Sequence, residues 1–286
     1  MGKLYKALEK ANISESKEWP SHDESDEAVS NRNTHRDISA DTKAASKNKL
    51  IAEKDNISSP VDFRVVVYHN PESLAAEHFK VLRGSIMHSS ERKIKSVLIT
   101  SALEQEGKTM VSCNLAVSIA QSIDPYVLLI DGDVRRPSVQ KMLGLKKAKG
   151  LTDYLLSGKP LSEYLMKGIL DKMTVLQAGS TVRNPAELMT SEKMQHLIEE
   201  ARDRYADRLI VIDSPPVNLA AETLVLARHV DAVVMVVRYG VSDKNAVDEA
   251  VNKLGRDKIL GFVFNGFEIT PRKYTYYKKK YYKSAY

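Results

Sequence analysis

The feature that most limits how this chain folds is an alternation of short apolar runs with helical patterns between about residues 61 and 269. Such an alternation is typical of a parallel sheet whose strands are joined by crossover helices. The apolar runs contain almost no polar positions, which indicates that helices cover both faces of the sheet. The predicted fold class is therefore α/β, a three-layer sandwich around a mostly parallel central sheet. The predicted strands are Ser96–Thr100, Tyr126–Asp131, Thr174–Ala178, Arg208–Asp213, Ala232–Arg238 and Ile259–Asn265.

Two helical patterns are distinct in the sequence. Residues Pro71–Met87, ahead of the first predicted strand, are expected to form a helix. A second helix is predicted by a stripe in which apolar side chains recur at intervals of three and four residues. The stripe consists of Met194, Leu197, Ile198, Ala201 and Tyr205.

A candidate phosphate-binding loop follows the first predicted strand. Residues Ala102–Thr109 match the spacing G-x-x-x-x-G-K-[ST], with alanine at the first glycine position. In such loops, backbone N–H groups at a helix N-terminus point at phosphate oxygens, where the helix dipole favours negative charge. Gly107 would allow close backbone approach, Lys108 would neutralise phosphate charge, and Thr109 would ligate Mg²⁺. An incidental Gly-Lys-Thr at a helix start is the alternative, and the strand–loop–helix context favours a P-loop NTPase-type site.

Three aspartates that follow predicted strands support the same interpretation. Asp131 ends the second strand, Asp133 lies just beyond it, and Asp213 ends a later strand. Ligands of open α/β sheets bind at the carboxyl ends of the strands, and Mg²⁺ prefers few carboxylates together with phosphate oxygens. One such aspartate is more often a cap of a turn or helix. Three of them beside a phosphate loop indicate a metal–nucleotide site.

The excess positive charge of the chain lies in its last residues. The formal net charge is +6, and the basic residues of the tail 270–286, which has no acidic residue, account for all of it. The remaining chain has equal numbers of acidic and basic residues, which argues against nucleic acid as a partner of the body. The basic residues of the tail are Arg272, Lys273, Lys278, Lys279, Lys280 and Lys283, and its tyrosines are Tyr274, Tyr276, Tyr277, Tyr281, Tyr282 and Tyr286.

The first sixty residues differ from the rest in composition. Leu4, Leu8 and Ala11 lie on one face of a short predicted helix, which either docks on a partner or the body or is a frayed terminus. Residues 14–60 are mostly polar and predict a disordered linker. No stretch of about 20 apolar residues predicts a membrane helix, and the single Cys113 fits a reducing cytoplasm. The predicted domains are 1–60, a helix and linker; 61–269, a P-loop domain; and 270–286, a flexible tyrosine-rich tail.

In these motifs the sequence resembles the bacterial tyrosine kinases, or BY-kinases, from about Glu72 to the C-terminus. Ala102–Thr109 resembles the Walker A motif of the family, and Ile212–Pro216 resembles its Walker B motif. Ile130–Pro137, which reads Ile-Asp-Gly-Asp-Val-Arg-Arg-Pro, resembles its Walker A-prime motif, the most specific of the set. The tyrosine-rich tail completes the resemblance. The sequence departs from the family at Glu104-Gln105, where Pro-Gly is usual.

The resemblance implies a protein-tyrosine kinase that uses ATP and Mg²⁺ to phosphorylate its own tail. It implies that Lys108 and Thr109 bind phosphate and Mg²⁺, and that Asp131 helps to activate the incoming tyrosine hydroxyl. Asn265 is expected either to contact the adenine or to be a turn residue. The catalytic residues are expected to be Lys108, Asp131, Asp133 and Asp213, the nucleotide-binding residues Glu106, Gly107, Lys108, Thr109, Met110 and Asn265, and the metal ligands Thr109, Asp133 and Asp213.

The helix ahead of the first strand carries a candidate oligomer contact. A spacing of three places Glu77, Lys80 and Arg83 on one helix face. Members of the family have E-x-x-R-x-x-R here, used in contacts between the subunits of a ring. Lys80 keeps the charge of the first arginine but loses its bidentate geometry. The resemblance implies a homo-oligomer, with a ring as one form, and a solvated ion-pair face is the alternative.

The tail is the expected substrate, phosphorylated in trans by a neighbouring subunit. Its interleaved lysine and tyrosine residues would alternatively bind anionic lipid or single-stranded nucleic acid. The resemblance implies a membrane activator of the chain-length-regulator (polysaccharide co-polymerase) type and a protein-tyrosine phosphatase, and no nucleic-acid partner is expected. The expected function is regulation of exopolysaccharide polymerisation or export, in the cytoplasm at the inner face of the cell membrane.

Two other functions stay open from the sequence. An ATPase of the partitioning or positioning type would share the architecture, but such proteins usually carry a second lysine near the loop start, where this chain has Leu103. A nucleotide-gated scaffold for a polysaccharide polymerase would bind ATP without phosphorylating anything. The altered Glu104-Gln105 loop is compatible with that scaffold.

Overall fold

The computed structural model describes residues 56–89, 93–204 and 207–267 of the chain. Within them, one sheet contains the strands β1 Ser96–Ser101, β2 Tyr126–Asp131, β3 Met166–Lys167, β4 Met173–Leu176, β5 Arg208–Asp213, β6 Ala232–Arg238 and β7 Ile259–Asn265. The order across the sheet is β3-β4-β2-β5-β1-β6-β7. All neighbouring strands are parallel except β3, which runs antiparallel to β4.

Among the described residues, two helices precede the first strand, and the others lie between strands as parts of the connections. In the described part of the chain they are α1 Val66–His69, α2 Leu74–Met87, α3 Lys108–Ala120, α4 Val139–Met142, α5 Leu151–Leu156, α6 Pro185–Met189, α7 Glu192–Arg204, α8 Ala221–His229 and α9 Lys244–Leu254. A short 3₁₀ turn spans Leu161–Glu163.

Two apolar layers, one on each face of the sheet, form the core. Val97 and Ile99 of β1 pack in the same layer as Leu115 of α3, whereas Leu98 packs in the opposite layer with Leu197 of α7. Successive residues of a strand point to opposite faces, so a strand covered on both faces is buried at every position, as β1 is. This arrangement confirms the predicted three-layer α/β sandwich with a mostly parallel sheet.

The bounds of three elements differ from those predicted. β1 extends to Ser101. β4 spans Met173–Leu176 rather than Thr174–Ala178, because the carbonyls of Gln177 and Ala178 accept hydrogen bonds from the first residues of α5. The predicted helix Pro71–Met87 begins only at Leu74, because the Ser73 side chain accepts the Ala76 N–H and caps the helix.

Residues 56–70, here called the N-terminal strap, pack against the body of the domain. Ile57 pairs with Leu145, and Val65 and Val67 are fully buried. The described chain therefore contacts the body ahead of the predicted domain start at residue 61. The predicted helix at Leu4–Ala11, the linker up to residue 55, Tyr205 and the tail 270–286 lie outside the described residues.

Asn114 in α3 holds the strap from beneath. Its side-chain oxygen Oδ1 accepts the Val67 N–H at 3.0 Å, and its Nδ2 donates to the carbonyls of Arg64 at 2.9 Å and Met110 at 2.8 Å. Asn114 is fully buried, and a buried amide with these partners is satisfied. The helix that begins at the phosphate loop is thereby tied to the strap.

Candidate active site

The phosphate loop joins β1 to α3, which begins at Lys108 as predicted. Gly107 precedes it with a φ of 97°, a backbone conformation that favours glycine. A Cβ at Gly107 would lie 2.0 Å from Nδ2 of Asn265, and that Nδ2 donates a hydrogen bond to the Glu106 carbonyl at 2.9 Å. The loop backbone therefore turns into α3 at a point where no larger residue fits.

Glu106 closes the loop with its side chain. Its Oε2 accepts the Leu103 N–H at 2.8 Å, and its Oε1 accepts the Ser242 hydroxyl. Arg238 adds a contact from its Nη1 to the Gln105 carbonyl at 3.2 Å. The Glu106 carboxylate is buried and hydrogen-bonded within the protein. The predicted nucleotide contact of Glu106 stays a prediction, and it would have to come from the backbone.

Asp213 ends β5, which lies between β1 and β2 in the sheet. It therefore lies between the phosphate loop after β1 and Asp131 at the end of β2. Its Oδ2 accepts the Thr109 hydroxyl at 2.6 Å, and its Oδ1 accepts the Ser112 hydroxyl at 3.0 Å. Ser138 donates to the Thr109 oxygen at 2.9 Å. A hydroxyl oxygen has two lone pairs, so Thr109 keeps one for a metal ion while its proton is held by Asp213.

Asp131 stands next to Asp213, its register partner in the sheet. It is fully buried; its Oδ2 accepts the Val139 N–H at 3.2 Å, whereas its Oδ1 has no hydrogen-bond partner among the described residues. Burial and the nearby charge of Asp213 raise the pKa of Asp131 well above its usual value. Burial also raises the pKa of Asp213 to about 6, against the Thr109 hydroxyl and Lys108, which lower it.

Asp133 is held at the start of the loop that follows β2. Its Oδ1 accepts the Arg136 N–H at 3.0 Å, and it is almost fully buried. The arginine of that loop also forms an ion pair with Glu104 of the phosphate loop. The loops after β1 and β2 are thus linked across the carboxyl edge of the sheet.

These residues fit a magnesium-bound nucleotide. The donor set combines the Thr109 hydroxyl with the carboxylates of Asp133 and Asp213, and the free Oδ1 of Asp131 is a buried acceptor that lacks a donor. Among the described residues, no cluster of three or more His, Cys, Asp or Glu side chains is suited to hold a metal by itself. Mg²⁺ takes few protein ligands and completes its shell with water and phosphate oxygens, so the Thr109 hydroxyl with one or two carboxylates suits it.

The structure also describes the surroundings of the other predicted site residues. Lys108 is buried at the start of α3, and Met110 is half-buried against the core. Lys80 pairs with Glu77 at 2.6 Å on α2, while Arg83 donates to the Ser118 carbonyl in the last turn of α3 at 2.5 Å. The oligomer contact stays a prediction, and the phosphoacceptor tyrosines lie outside the described residues.

The sequence did not predict the hydrogen bonds that three serine hydroxyls make in the site, or that the Glu106 carboxylate closes the phosphate loop. Ser112 lies one helical turn beyond Lys108, so its position on the Asp213 side of α3 could have been read from helical spacing. Ser138 and Ser242 reach the site from distant parts of the chain, 29 residues from Thr109 and 136 residues from Glu106. The bracing role of the Glu106 carboxylate depends on Ser242, so no local pattern could have revealed it.

Several known proteins are similar to this chain in sequence, and they are tyrosine-protein kinases. The chain is 33% identical over 234 residues to the tyrosine-protein kinase YwqD of Bacillus subtilis, covering 80% of this chain and 98% of that protein. The chain belongs to the bacterial tyrosine-protein kinases. A second relative of this kinase family, the tyrosine-protein kinase CpsD of Streptococcus pneumoniae, is 33% identical over 206 residues, which is 70% of this chain and 88% of CpsD. No model of a protein family matches the chain.

The fold of this chain is also similar to solved structures, including a tyrosine-kinase domain. The kinase domain of the Escherichia coli tyrosine kinase ETK is similar with a TM-score of 0.66 and 28% identity, over 74% of this chain and 85% of that chain. The chimerical protein CapA2B2 gives a TM-score of 0.68 at 28% identity, over 74% of this chain and 95% of that chain. The septum site-determining protein MinD of Pyrococcus horikoshii, at 20% identity and a TM-score of 0.52, shares the fold.

The kinase family and the P-loop fold together make this a nucleotide-binding enzyme that acts on protein tyrosine. Of the helices in the described ranges, none has the length and apolar character needed to cross a membrane. The sequence relatives and the similar structures confirm the predicted family, fold class and enzyme class.

Proposed function

We propose that this tyrosine kinase transfers the γ-phosphate of ATP, with Mg²⁺, to the tyrosines of its own C-terminal tail in trans. Through this reaction it regulates the polymerisation or export of an exopolysaccharide. The domain division 1–60, 61–269 and 270–286 is part of the same proposal. The catalytic residues are Lys108, Asp131, Asp133 and Asp213.

The observation that carries the proposal is the position of Asp131 next to Asp213, which in turn binds Thr109 at the end of the phosphate loop. The Oδ1 of Asp131 is a buried acceptor with no donor among the described residues, and Asp213, its neighbour in the sheet, already binds Thr109. A buried acceptor without a donor is costly, so a ligand that brings a hydroxyl would satisfy it. The tyrosine hydroxyl is the donor that the kinase reaction supplies.

The residues of this chain divide the work of phosphoryl transfer. Gly107 and the loop amides bind phosphate oxygens, and Lys108 offsets their charge. Asp213 accepts the Thr109 proton in a hydrogen bond, which leaves a lone pair of the Thr109 oxygen that would bind the metal. Asp131 accepts the hydrogen bond of the incoming phenol and takes up its proton as the oxygen attacks. Bound Mg²⁺ supplies charge that stabilises the phosphate oxygens.

The tail meets the requirements of an acceptor. Its six tyrosines, Tyr274, Tyr276, Tyr277, Tyr281, Tyr282 and Tyr286, lie within the last thirteen residues and have no aliphatic neighbours larger than alanine. Such a segment gains little by packing into a core, so its hydroxyls are available to a neighbouring subunit.

The partners follow from the same function. We assign a membrane activator of the polysaccharide co-polymerase type, which would hold the kinase at the inner face of the cell membrane, and a protein-tyrosine phosphatase that removes the tail phosphates. The name of the chimerical protein CapA2B2, a similar structure, is compatible with a kinase fused to part of a second protein. Glu77, Lys80 and Arg83 are the proposed contact between subunits.

The decisive experiment is incubation of the purified chain with ATP and Mg²⁺, followed by intact mass and peptide mapping. We expect phosphate on residues 274–286 of the wild type and none in Lys108→Met. Lys93→Met is the matched control, because Lys93 is exposed just ahead of β1 and away from the phosphate loop. Phosphate on the Lys108→Met tail would show that another site performs the reaction.

Absence of phosphate from the wild type leads to a second measurement. The assay is repeated with the cytoplasmic segment of a candidate membrane activator of the polysaccharide co-polymerase type. Phosphate that appears only then identifies an activator-dependent kinase. If ATP binds and no phosphotyrosine forms under either condition, the chain acts as an ATPase or a nucleotide-gated scaffold, and the proposal is wrong.

A further inference from the structure

A cavity opens beside Asp131, with a volume of about 510 Å³. The side chains that line it include Asp131, Arg136, Lys141 and Lys147. One carboxylate and three cations therefore line this cavity. The cavity has the charge of an anion site.

Two of the cations are available to a ligand. Arg136 is paired with Glu104, whereas neither Lys141 nor Lys147 forms an ion pair with any residue in 56–89, 93–204 or 207–267. Both lysines are exposed at the cavity rim. Phosphoryl transfer, as described above, does not use either of them.

The loop that carries Lys147 is built rather than loose. Gln177, which is buried, donates from Nε2 to the Lys146 carbonyl at 2.8 Å, and its Oε1 accepts the Ala148 N–H at 3.2 Å. Gln140 donates from its Nε2 to the Leu145 carbonyl at 2.6 Å. These two amides hold the backbone around Lys147 by hydrogen bonds, so the residue's main chain is fixed beside the cavity.

A basic rim is a poor match for the substrate in its unmodified form. The tail has six basic residues and no acidic residue, so like charges meet when it enters the cavity. A phosphorylated tyrosine changes this balance, because each phosphate adds about −1.5 to −2 charges. The tail offers neighbouring tyrosines in the pairs Tyr276-Tyr277 and Tyr281-Tyr282, so one can carry the phosphate while the other is the acceptor.

We infer that Lys141 and Lys147 form a subsite for a phosphotyrosine of the tail, which positions an adjacent unmodified tyrosine at Asp131. The subsite makes phosphorylation of a paired tyrosine faster once its neighbour carries phosphate, so the tail gains phosphates in pairs. This inference rests on the proposed function for the position of the acceptor. The binding of a phosphotyrosine by the two lysines does not depend on turnover.

The test uses synthetic tails, residues 270–286, in which Tyr281 is the sole acceptor and other tyrosines are phenylalanine. One peptide has phosphotyrosine at position 282, a second has it at 286, and a third has none. The enzyme is the full chain with its own six tail tyrosines changed to phenylalanine, and with the membrane activator segment if activity needs it. We expect kcat/KM for the 282-phosphorylated peptide to exceed that of the other two by about tenfold, as a few partly exposed charge-assisted contacts allow.

Two double variants separate the subsite from general electrostatics. In Lys141→Gln/Lys147→Gln the advantage of the 282-phosphorylated peptide should fall below about twofold. Lys93→Gln/Lys244→Gln removes the same charge from exposed positions elsewhere and should keep the advantage. An equal loss in both double variants would overturn the inference, because it would then reflect net charge alone.

Fluorescence anisotropy of labelled peptides provides a readout without turnover. The 282-phosphorylated peptide should bind the wild type more tightly than the unmodified peptide, and the difference should disappear in Lys141→Gln/Lys147→Gln. If inorganic phosphate competes as well as the phosphopeptide at equal concentration, the cavity is a free-phosphate site and the inference is wrong. If no peptide is phosphorylated but the binding difference holds, the proposed function fails while the phosphotyrosine subsite stands.

Discussion

Asp131 is fully buried, and one oxygen of its carboxylate lacks a hydrogen bond within the described residues. Burial and the charge of Asp213 raise its pKa well above the usual value. A carboxyl whose pKa is raised on folding binds more protons in the folded chain than in the unfolded chain. Its contribution to stability therefore falls as the pH rises above the unfolded pKa of about 4. For Asp213, whose folded pKa is about 6, that fall occurs mainly between these two values.

We expect Asp131→Asn to stabilise the nucleotide-free chain at pH 7 by about 1–3 kcal/mol. The amide keeps an oxygen to accept the Val139 N–H but removes the group whose ionisation opposes folding. The gain should shrink below about pH 4, where the carboxyl is protonated in both folded and unfolded chains. Urea unfolding between about pH 3 and pH 8 measures the gain, and the variant should be inactive as a kinase.

The control for this prediction is Asp248→Asn, at an exposed position on α9. It should change the free energy of unfolding by less than about 0.5 kcal/mol at every pH. A gain for Asp131→Asn that does not vary with pH, or a loss at pH 7, would contradict the assignment of Asp131 as a destabilising acid.

Gly107 is the residue at which the phosphate loop tolerates least change. A Cβ there would lie 2.0 Å from Asn265 Nδ2, and the φ of 97° disfavours any other residue. We expect Gly107→Ala to weaken nucleotide affinity more than about tenfold, since the strain of about 1–3 kcal/mol distorts the loop. Titration with a fluorescent ATP analogue measures the affinity.

Gly84 provides the matched comparison. It lies within helix α2, and a Cβ there meets no atom within 4 Å. Gly84→Ala should bind nucleotide like the wild type and unfold at a slightly higher urea concentration, because alanine favours helix. Nucleotide affinity that survives in Gly107→Ala would show that the loop opens before it binds.

At the scale of elements, α3 joins the phosphate loop at one end to the N-terminal strap along its side. Asn114→Ala would remove the acceptor of the buried Val67 N–H and the donor to the Arg64 carbonyl. We expect a loss of about 2–3 kcal/mol in the free energy of unfolding, because buried backbone groups lose their partners. Hydrogen exchange at Val67 should also become faster, and mass spectrometry after deuteration detects it.

Asn252→Ala is the corresponding control, since Asn252 is exposed on α9. It should leave both the unfolding free energy and the exchange at Val67 close to those of the wild type. Unchanged protection of the strap in Asn114→Ala would mean that the apolar contacts of Val65 and Val67 hold it alone.

Elements with a strong local pattern are the ones that the sequence predicts well. β2 and β5 have the predicted bounds, because a strand buried on both faces is apolar at consecutive positions and here ends in aspartate. The two-residue β3 has no such run, and its place depends on its pairing with β4. The sequence predicts a linker up to Pro60, whereas the strap begins at residue 56; its contacts, such as Ile57 with Leu145, join residues far apart in the chain, so no local pattern reveals them.

The residues of the site also divide into those that the sequence predicts and those that only the structure reveals. Lys108, Thr109, Asp131 and Asp213 follow from motifs whose spacing is local. The links that shape the site, such as Arg135 to the buried Glu222 across 87 residues, need the folded sheet to bring them together. Sequence patterns therefore identify the groups that bind phosphate and metal better than the groups that hold them.

At the scale of the whole molecule, the tail carries the net charge of +6. Three or four phosphates, at about −1.5 to −2 charges each, would cancel or reverse it. An assembly held by the basic tail should then loosen, because a tail with several phosphates carries more negative charge than the two lysines of one subsite offset, and its attraction to acidic surfaces of the neighbouring subunit weakens. Light scattering should give a smaller mass for the phosphorylated chain than for the same sample after phosphatase treatment.

The six-fold tyrosine-to-phenylalanine variant serves as the control, because its mass should not respond to ATP and Mg²⁺. The measurement is repeated at higher salt, which screens the tail charge and should reduce the difference. Identical mass in both phosphorylation states of the wild type would show that phosphorylation of the tail does not loosen the assembly.

Cys113 offers a practical consequence of the way α3 is buried. It is the only cysteine of the chain; it is fully buried, and burial raises the pKa of its thiol well above the usual value. Reagents that modify cysteine need an accessible thiolate, so the native residue stays silent during labelling. A fluorophore attached after Ser284→Cys would therefore report the movements of the tail by energy transfer to a fluorescent nucleotide, in a chain that keeps its own cysteine.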